Sequence, residues 1–420
     1  MITKEDGLKY AKLIHVSVDN GKTNQSNKVY IMEEQSGGQI KCIYGRVGGN
    51  MVTVMKGSHE WNKIYSQKTS ARKGYVDKTD EAVIKQAQKS TGIADIAEAE
   101  VQRLFDDLMA YANKTIGSNY KVTQDDVTQK QIDNAQVIID ELAGIAKSSK
   151  TKANKIEPIN DKLLELYMTI PRKMKNVKDY LIEEDEYTIE EIKSFIANEQ
   201  DLLDTMAGQV MILSKNDSDE EEDEEEDTLL VKMGLEVTEE KGKDAIALVN
   251  KLLGRNAHQL VKLYKCINKS TQDRFDKHLV NANNKKRLLL FHGSKNQNYL
   301  NILQTGLLIR PAGVQHTGSM WDDGIYYASD ADKSLGYTDG GRWAGSYSNG
   351  KVYLCLFDVH LGKQLNKYKH DSSCYNISKE VKSGGYDSVH AHKGVDLRKD
   401  EFIVYDSDKC TVAYIMEMKI

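Results

Sequence analysis

The sequence predicts an α+β protein of several domains, in which a small sheet module, an all-helical bundle and a mixed β-sheet domain follow one another. Short apolar runs near glycines predict strands in the first and last parts of the 420-residue chain, and apolar residues spaced i, i+3, i+4 predict helices in its middle. An acidic run separates the helical part from the last part. This length suits about two to four domains, and a hydrophobic content of 40% supports ordinary globular cores.

The first predicted domain covers residues 1–85. Residues 27–33 and 41–44 have the composition of two strands, and Gly37-Gly38 between them predicts a hairpin. Residues 1–90 contain 15 Lys and Arg against 9 Asp and Glu, which makes this the basic part of a chain with a formal net charge of −5. A basic surface suits phosphate contacts, although lysines that merely solvate a surface explain the same count.

The second predicted domain, residues 90–215, is helical. Its apolar residues form stripes on two predicted helices, Val101-Leu104-Phe105-Leu108-Met109 and Val137-Ile138-Leu142-Ile145. Residues 217–227 then contain ten acidic residues in eleven, and such a run repels itself. We therefore expect residues 216–228 to be a disordered, solvated linker.

The last predicted domain covers residues 229–420 and carries the candidate catalytic residues. The apolar run 288–291 ends in His292, residues 324–328 predict a strand around Tyr326, and Glu401 precedes a third apolar run. Three polar groups at the ends of three short strands suit a nucleotide cleft built from sheet edges. Taken singly, a structural His, a core Tyr and a solvated Glu are the commoner interpretations, so their order along the chain carries the functional one.

These segments resemble the catalytic domain of the poly(ADP-ribose) polymerases, which carries a His-Tyr-Glu triad on three such strands. The similarity extends over several separated motifs in the same order, namely Phe291-His292-Gly293-Ser294, residues 300–307, residues 324–328, Lys333-Ser334 with Tyr337, and Glu401. The resemblance implies a mixed β-sheet ADP-ribosyltransferase domain. Its substrate is NAD+, from which ADP-ribose is transferred and nicotinamide released.

The resemblance also assigns residues to the nicotinamide end of NAD+. The Gly293 backbone and the Ser334 hydroxyl are expected to hold the carboxamide, while the rings of Tyr326 and Tyr337 enclose the nicotinamide ring. Aromatic faces suit a flat ring that is cationic in the substrate. The chemistry implied in this way needs no metal.

Two further residues are assigned to the ribose that is bonded to nicotinamide. Breaking the bond between nicotinamide and ribose produces an oxocarbenium-like centre, as in glycoside hydrolysis. By resemblance, His292 binds a ribose hydroxyl, and Glu401 holds the 2′-hydroxyl, faces the developing cation and polarises the incoming nucleophile. Three more residues are assigned to NAD+ binding: Ser294, Lys333 and Arg310.

The N-terminal module resembles the WGR domain, a small sheet-and-helix module of DNA-dependent members of this family. Gly45-Arg46-Val47-Gly48 matches its Trp-Gly-Arg-Val-Gly signature, with Tyr44 in place of the Trp. The family's Trp and Arg contact a DNA end, so the resemblance implies that Tyr44 and Arg46 bind DNA. Residues 162–171 resemble part of the family's helical regulatory domain, which blocks NAD+ until a signal loosens it. A plain helical spacer is the alternative interpretation of this region.

We expect a DNA-stimulated ADP-ribosyltransferase, and a polymerase because family members with a Glu at the place of Glu401 can activate an ADP-ribose hydroxyl. Its acceptors are expected to include the chain itself. The acidic run could supply acceptor carboxylates or compete with DNA. Two alternatives stay open: a mono-ADP-ribosyltransferase, in which Arg398-Lys399-Asp400 prevents elongation, and a catalytically weak protein that binds DNA ends.

The sequence also indicates in which cellular compartment the protein is expected. No apolar run has transmembrane length and the polar residues 1–6 are unlike a signal peptide, so no membrane partner is expected. Five scattered cysteines without zinc-ligand spacing predict a reducing compartment, without disulfides or bound metal. A role in the response to DNA damage implies a nuclear location if the source is a eukaryote.

Overall fold

A computed structural model of the chain describes residues 2–3, 7–17, 26–47, 50–79, 98–183, 185–216, 229–309, 320–341 and 350–420. The chain forms two compact units, Met1–Gln88 with Thr115–Met206 and Lys89–Lys114 with Ala207–Ile420. The boundary predicted between residues 85 and 90 lies outside the described residues, as do Gly48, Arg310 and the acidic run 217–227.

The first unit contains an antiparallel sheet. Its strands are β1 Ile2–Thr3, β2 Lys9–Ser17, β3 Ser26–Gln35, β4 Gln39–Arg46, β5 Met51–Gly57 and β6 Val76–Asp77, and helix α1 is Trp61–Thr69. The order is β1-β2-β3-β4-β5, with β6 paired to β2. The predicted hairpin is confirmed, since Gln35 of β3 lies opposite Gln39 of β4. Alternate strand residues pack with the buried residues of α1 in one core: Ala11, Leu13, Tyr30, Met32, Ile40, Cys42, Trp61 and Ile64.

Four helices account for most of the described residues between 98 and 216: α2 Ala99–Asn119, α3 Gln129–Lys147, α4 Ala153–Thr169 and α5 Ile189–Asn216. The helical character predicted for this stretch is confirmed. One predicted stripe is wrong in detail, because Val137 is 57% exposed whereas Ile139 is fully buried. The buried face of α3 also contains the small residues Ala135 and Ala146, so its centre lies away from Val137.

The described residues of the second unit form two sheets. The larger consists of β7 Leu235–Glu239, β8 Leu260–Asn268, β9 Arg287–His292, β11 Lys351–His360 and β15 Cys410–Lys419, in the order β7-β8-β15-β11-β9 with every pair antiparallel. The smaller consists of β10 Ile325–Tyr327, β12 Gln364–Lys367, β13 Ser388–Ala391 and β14 Glu401–Val404, in the order β10-β14-β13-β12 with only β12 and β13 parallel. The predicted mixture of helices and several sheets is confirmed.

Short helices accompany these sheets: α6 Leu229–Lys232, α7 Lys243–Leu253, α8 Lys269–Asn281, α9 Tyr299–Thr305, α10 Ala331–Leu335 and α11 Ile377–Ser383. The two sheets meet beside β9, where the Phe291 N–H donates to the Ala328 carbonyl at 2.8 Å and the Ala328 N–H donates back at 3.0 Å. All five cysteines are buried and free. Within the described ranges, no helix combines the length and the apolar character needed to cross a bilayer.

Candidate active site

His292 ends strand β9, at the edge of the larger sheet. Its Nδ1 lies 3.0 Å from the Tyr326 carbonyl oxygen. A proton on Nδ1 satisfies this contact, and the tautomer assigned in this way leaves Nε2 as an acceptor. Burial lowers the pKa of His292 below its ordinary 6.5, so the ring is neutral near pH 7. A neutral ring of this tautomer can accept a hydrogen bond from a sugar hydroxyl.

Gly293 lies so close to α10 that no side chain fits. A Cβ at this position would stand 1.8 Å from the Ser334 carbonyl oxygen. The buried Ser334 hydroxyl donates to the Phe291 carbonyl at 3.2 Å, which leaves its oxygen able to accept a second hydrogen bond. The end of β9 and the end of α10 are therefore fixed against each other, and Gly293 and Ser334 lie next to His292.

Two tyrosines contribute neutral aromatic rings. The Tyr326 hydroxyl donates to the Asp322 carbonyl at 2.7 Å and accepts from the Trp321 backbone N–H at 2.8 Å. Burial raises the pKa of Tyr326 well above 10. Burial, followed by the Glu401 carboxylate, raises the pKa of Tyr337 as well. Both phenols therefore stay uncharged, and the charge of Glu401 acts on Tyr337.

Glu401 begins β14 and is only 4% exposed. One carboxylate oxygen lies 2.6 Å from Lys333 Nζ, and the other accepts from the Trp321 indole N–H at 3.0 Å. Two directional contacts to charged or strongly polar donors fix the orientation of the carboxylate. A preorganised anion is what a positive charge developing on a ribose requires.

Sequence reasoning missed Trp321 and Asp322. Trp321 is 1% exposed, and its carbonyl accepts from the Tyr405 hydroxyl at 2.6 Å. Asp322 has φ = 64°, a left-handed conformation that is uncommon for residues other than glycine, and its carboxylate accepts from the Ser378 N–H at 3.1 Å. The only sequence signal was a rare tryptophan five residues before Tyr326, which does not tell where its N–H points.

The Tyr337 N–H donates to the Ser334 carbonyl at 3.1 Å, which links Tyr337 to the other contacts described above. In this way the second unit brings seven of the predicted site residues together: His292, Gly293, Tyr326, Lys333, Ser334, Tyr337 and Glu401. Ser294 is engaged differently. Its N–H donates to the Tyr299 hydroxyl at 3.0 Å, and its hydroxyl accepts from Asn298 at 3.0 Å. Arg310, the remaining residue assigned to NAD+, lies outside the described residues.

The predicted DNA-binding residues lie in the first unit, at the end of β4. The Tyr44 ring stacks on Tyr30, with centroids 5.2 Å apart and planes 11° apart. Lys68 Nζ lies 3.9 Å from the Tyr30 centroid and 5.8 Å from that of Tyr44. Arg46 is exposed. The Tyr44 ring is thus half-buried against Tyr30 and accompanied by a lysine.

Comparison with known proteins places the site in a family. A model described as the poly(ADP-ribose) polymerase catalytic domain matches residues 247–420. Two proteins of Invertebrate iridescent virus 6 are similar to the chain. The uncharacterized protein 101L is 32% identical over 201 residues, or 48% of this chain and 77% of that protein. The putative poly [ADP-ribose] polymerase-like 100L is 27% identical over 184 residues, or 43% and 96%.

A third relative carries a different name. The protein mono-ADP-ribosyltransferase PARP4 of Mus musculus is 35% identical over 140 residues, which are 31% of this chain and 7% of that protein. The family match at residues 247–420 contains β9, β10 and β14 with their His292, Tyr326 and Glu401. The chain belongs to the poly(ADP-ribose) polymerase family, and it is an NAD+ ADP-ribosyltransferase.

Proposed function

We propose that the chain is a poly(ADP-ribose) polymerase stimulated by DNA ends, which modifies itself and other proteins in a DNA-damage response. In a eukaryote, that role would place it in the nucleus. The observation that carries the catalytic part is the buried Glu401 carboxylate, held by Lys333 at one oxygen and by Trp321 at the other.

The nicotinamide end of NAD+ is bound by residues between β9 and α10. The Gly293 backbone and Ser334 Oγ provide polar contacts for the carboxamide, and Tyr326 and Tyr337 provide apolar faces for the ring. The His292 Nε2 accepts from a ribose hydroxyl. Positioning both ends of the scissile bond in this way lowers the entropic part of the barrier.

Glu401 acts on the ribose and on the acceptor. As nicotinamide leaves with the bonding electron pair, the carboxylate stabilises the positive charge on the sugar. The acceptor hydroxyl then forms the new bond to the anomeric carbon, and Glu401 takes its proton. When that hydroxyl belongs to an ADP-ribose already attached, the product grows into a polymer.

Single transfer is the second candidate function, and the segment before Glu401 favours it. Lys399 forms an ion pair with Asp330 at the start of α10, and its carbonyl lies 3.4 Å from Lys333 Nζ. This segment is therefore tied to α10 beside the catalytic carboxylate. If it obstructs an ADP-ribose hydroxyl while admitting a protein side chain, elongation stops after one unit.

The first unit supports DNA binding through its cations and rings. Burial lowers the pKa of Lys68, and the charges of Lys73, Lys56 and Lys28 lower it further, so these ammonium groups share one neighbourhood. Mutual repulsion of cations is relieved when phosphates bind between them. The stacked Tyr44 beside this cluster suits contact with a sugar or base.

The helices support regulation through contacts inside the second unit. The Gln304 amide of α9 donates to the Gly208 carbonyl of α5 at 3.0 Å. Tyr353 of β11 donates to Asp107 of α2 at 3.0 Å. Since α9 begins only six residues after Gly293, a shift of α5 can reach the nicotinamide end of the site. We propose that these helices restrain catalysis until DNA binds.

The test is to incubate the full chain with labelled NAD+, with and without nicked or blunt-ended DNA, and to separate the products by size. A DNA-dependent ladder supports the polymerase. A single discrete product at every time point instead establishes single transfer. Absence of any product from the wild-type chain, both with and without DNA, would contradict the proposed polymerase.

A pair of variants isolates the DNA contact. Arg46→Ala should weaken DNA binding and lower the slope of log affinity against log salt by about one. Lys130→Ala, which removes an exposed cation from α3, is the matched control and should leave both unchanged. If DNA stimulates transfer equally in Arg46→Ala and Lys130→Ala, the result would argue against DNA binding by the N-terminal module.

A further inference from the structure

The strand that carries Glu401 has a second face, on the other side of the smaller sheet. In the antiparallel pair β13–β14, Ala391 lies opposite Glu401 and His390 lies opposite Phe402. Successive side chains point to opposite faces of a sheet. Glu401 points toward Trp321, so His390 lies on the reverse face.

Three potential ligands converge on this reverse face. His390, His392 and Asp400 each offer one ligand atom, and these atoms all lie within 4.8 Å of one another. His390 Nε2 is 3.3 Å from Asp400 Oδ2, and the two imidazole centroids are 3.7 Å apart. Among the residues that the structure describes, no other three His, Cys, Asp or Glu side chains are found with their ligand atoms grouped so closely.

The donor set and its spacing fit a divalent transition metal. Zn²⁺ binds imidazole nitrogen and carboxylate oxygen at about 2.0–2.2 Å, which places neighbouring ligand atoms of a tetrahedral ion roughly 3.4 Å apart. Ligand atoms already within 4.8 Å of one another need small side-chain movements to reach that distance. Two histidines and one carboxylate leave a coordination position for water.

Neighbouring groups orient the three side chains. The Lys393 N–H donates to Asp400 Oδ1 at 2.7 Å, and Asn366 Oδ1 lies 2.9 Å from His392 Nε2. The His390 ring stacks on Phe402 with centroids 4.4 Å apart. Such outer contacts fix ring orientation and ligand basicity at metal sites.

We propose that His390, His392 and Asp400 bind one Zn²⁺ or a similar divalent transition metal on the face of β13–β14 opposite to Glu401. The ion takes no part in ADP-ribose transfer and ties the segment before β14 to the end of β13. The alternative is a hydrogen-bonded His-Asp pair within a stack of rings, which needs no ion.

The experiment is a Zn²⁺ titration of the chelator-treated full chain at pH 7.5, by calorimetry and by competition with a chromophoric chelator. Co²⁺ addition provides a spectroscopic readout of nitrogen and oxygen coordination. Three variants are compared with the wild type: His392→Ala, Asp400→Asn and His258→Ala. His258 is an exposed histidine of the same unit and is the matched control.

The proposal expects one Zn²⁺ per wild-type chain, with affinity reduced at least about tenfold in His392→Ala and Asp400→Asn but not in His258→Ala. The cobalt spectrum should be lost in the same two variants. Circular dichroism at 25 °C confirms that each variant is folded before titration. No stoichiometric binding by the wild type, or equal affinity in all four proteins, overturns the proposal.

Discussion

Lys333 of α10 places its ammonium 2.6 Å from the Glu401 carboxylate, although the two residues come from different elements of the fold. Their side chains are 16% and 6% exposed, so water screens the pair little. Removing either partner would leave a poorly solvated charge. The pair thus couples the orientation of the Glu401 carboxylate, which we propose to be catalytic, to the position of α10, which also carries Ser334.

Glu401→Gln should abolish most transfer while preserving the shape of the side chain. Loss of the proton acceptor and of the anion facing the ribose predicts a fall in NAD+ turnover of about 10²–10⁴-fold. Nicotinamide release measures it. Glu417→Gln is the control, because Glu417 is also buried and pairs with Arg103 at 2.9 Å but lies outside the site. Equal losses in the two variants would show a stability effect only.

Trp321→Phe should reduce activity by removing a single hydrogen bond to Glu401. A bond between a neutral donor and a charged acceptor contributes about 1.5–3 kcal/mol, which corresponds to roughly 10–150-fold in rate if it acts only in the transition state. Steady-state kinetics should show a lower kcat with little change in KM for NAD+. Trp61→Phe, a buried tryptophan of the first unit, should not share this pattern.

Gly293→Ala should both destabilise the second unit and impair NAD+ binding. The added Cβ would stand 1.8 Å from a backbone oxygen, so β9 or α10 must move. Such overpacking costs about 1–3 kcal/mol. Gly144→Ala in α3 meets nothing within 4 Å and should stabilise the chain by up to about 1 kcal/mol. Urea unfolding measures the free energy of unfolding of both variants. An unchanged free energy in Gly293→Ala would contradict the close approach of Gly293 to the Ser334 carbonyl.

Acid should weaken the fold through partly buried histidines. Burial lowers the folded-state pKa values of His292, His278 and His390 below 6.5. As the pH is lowered below 6.5, the unfolded chain takes up protons at these rings before the folded chain does. The free energy of unfolding therefore decreases as the pH is lowered, until the folded pKa values are reached. Each pKa unit of difference contributes about 1.4 kcal/mol.

Urea unfolding at pH 7, 6 and 5, with a chelator present, checks this dependence. His292→Gln removes one titrating ring and should flatten the pH dependence relative to wild type. His258→Ala again serves as the control for the removal of an imidazole from the same unit. A His292→Gln curve parallel to the wild-type curve would mean that this ring titrates alike in both states.

Gly208→Leu should raise activity in the absence of DNA if α5 restrains the site. A Cβ on Gly208 would lie 3.1 Å from the Asn301 Cβ of α9, and a larger side chain must push the two helices apart. The measurement is basal nicotinamide release. Gly117→Leu, on the exposed side of α2, is the control. Lower basal activity in Gly208→Leu with unchanged folding would argue that the contact supports the site rather than restraining it.

The prediction from sequence was strongest where the signal is local. The strands around residues 288–291 and 324–328, the hairpin at Gly37-Gly38 and the helices of the middle part all depend on periodicity or turn residues within short windows. The error at Val137 came from the same source, since spacing gives the pitch of a helix but not the exact centre of its buried face.

The order of His292, Tyr326 and Glu401, the strands around them and the family resemblance could all be read from the sequence. That Trp321 donates to Glu401 from 80 residues away, and that His390, His392 and Asp400 converge behind Glu401, became visible in the folded chain. Local propensities act over a few neighbouring residues. Contacts between distant residues depend on strand register and on how α10 packs against β9, which are set by the whole core.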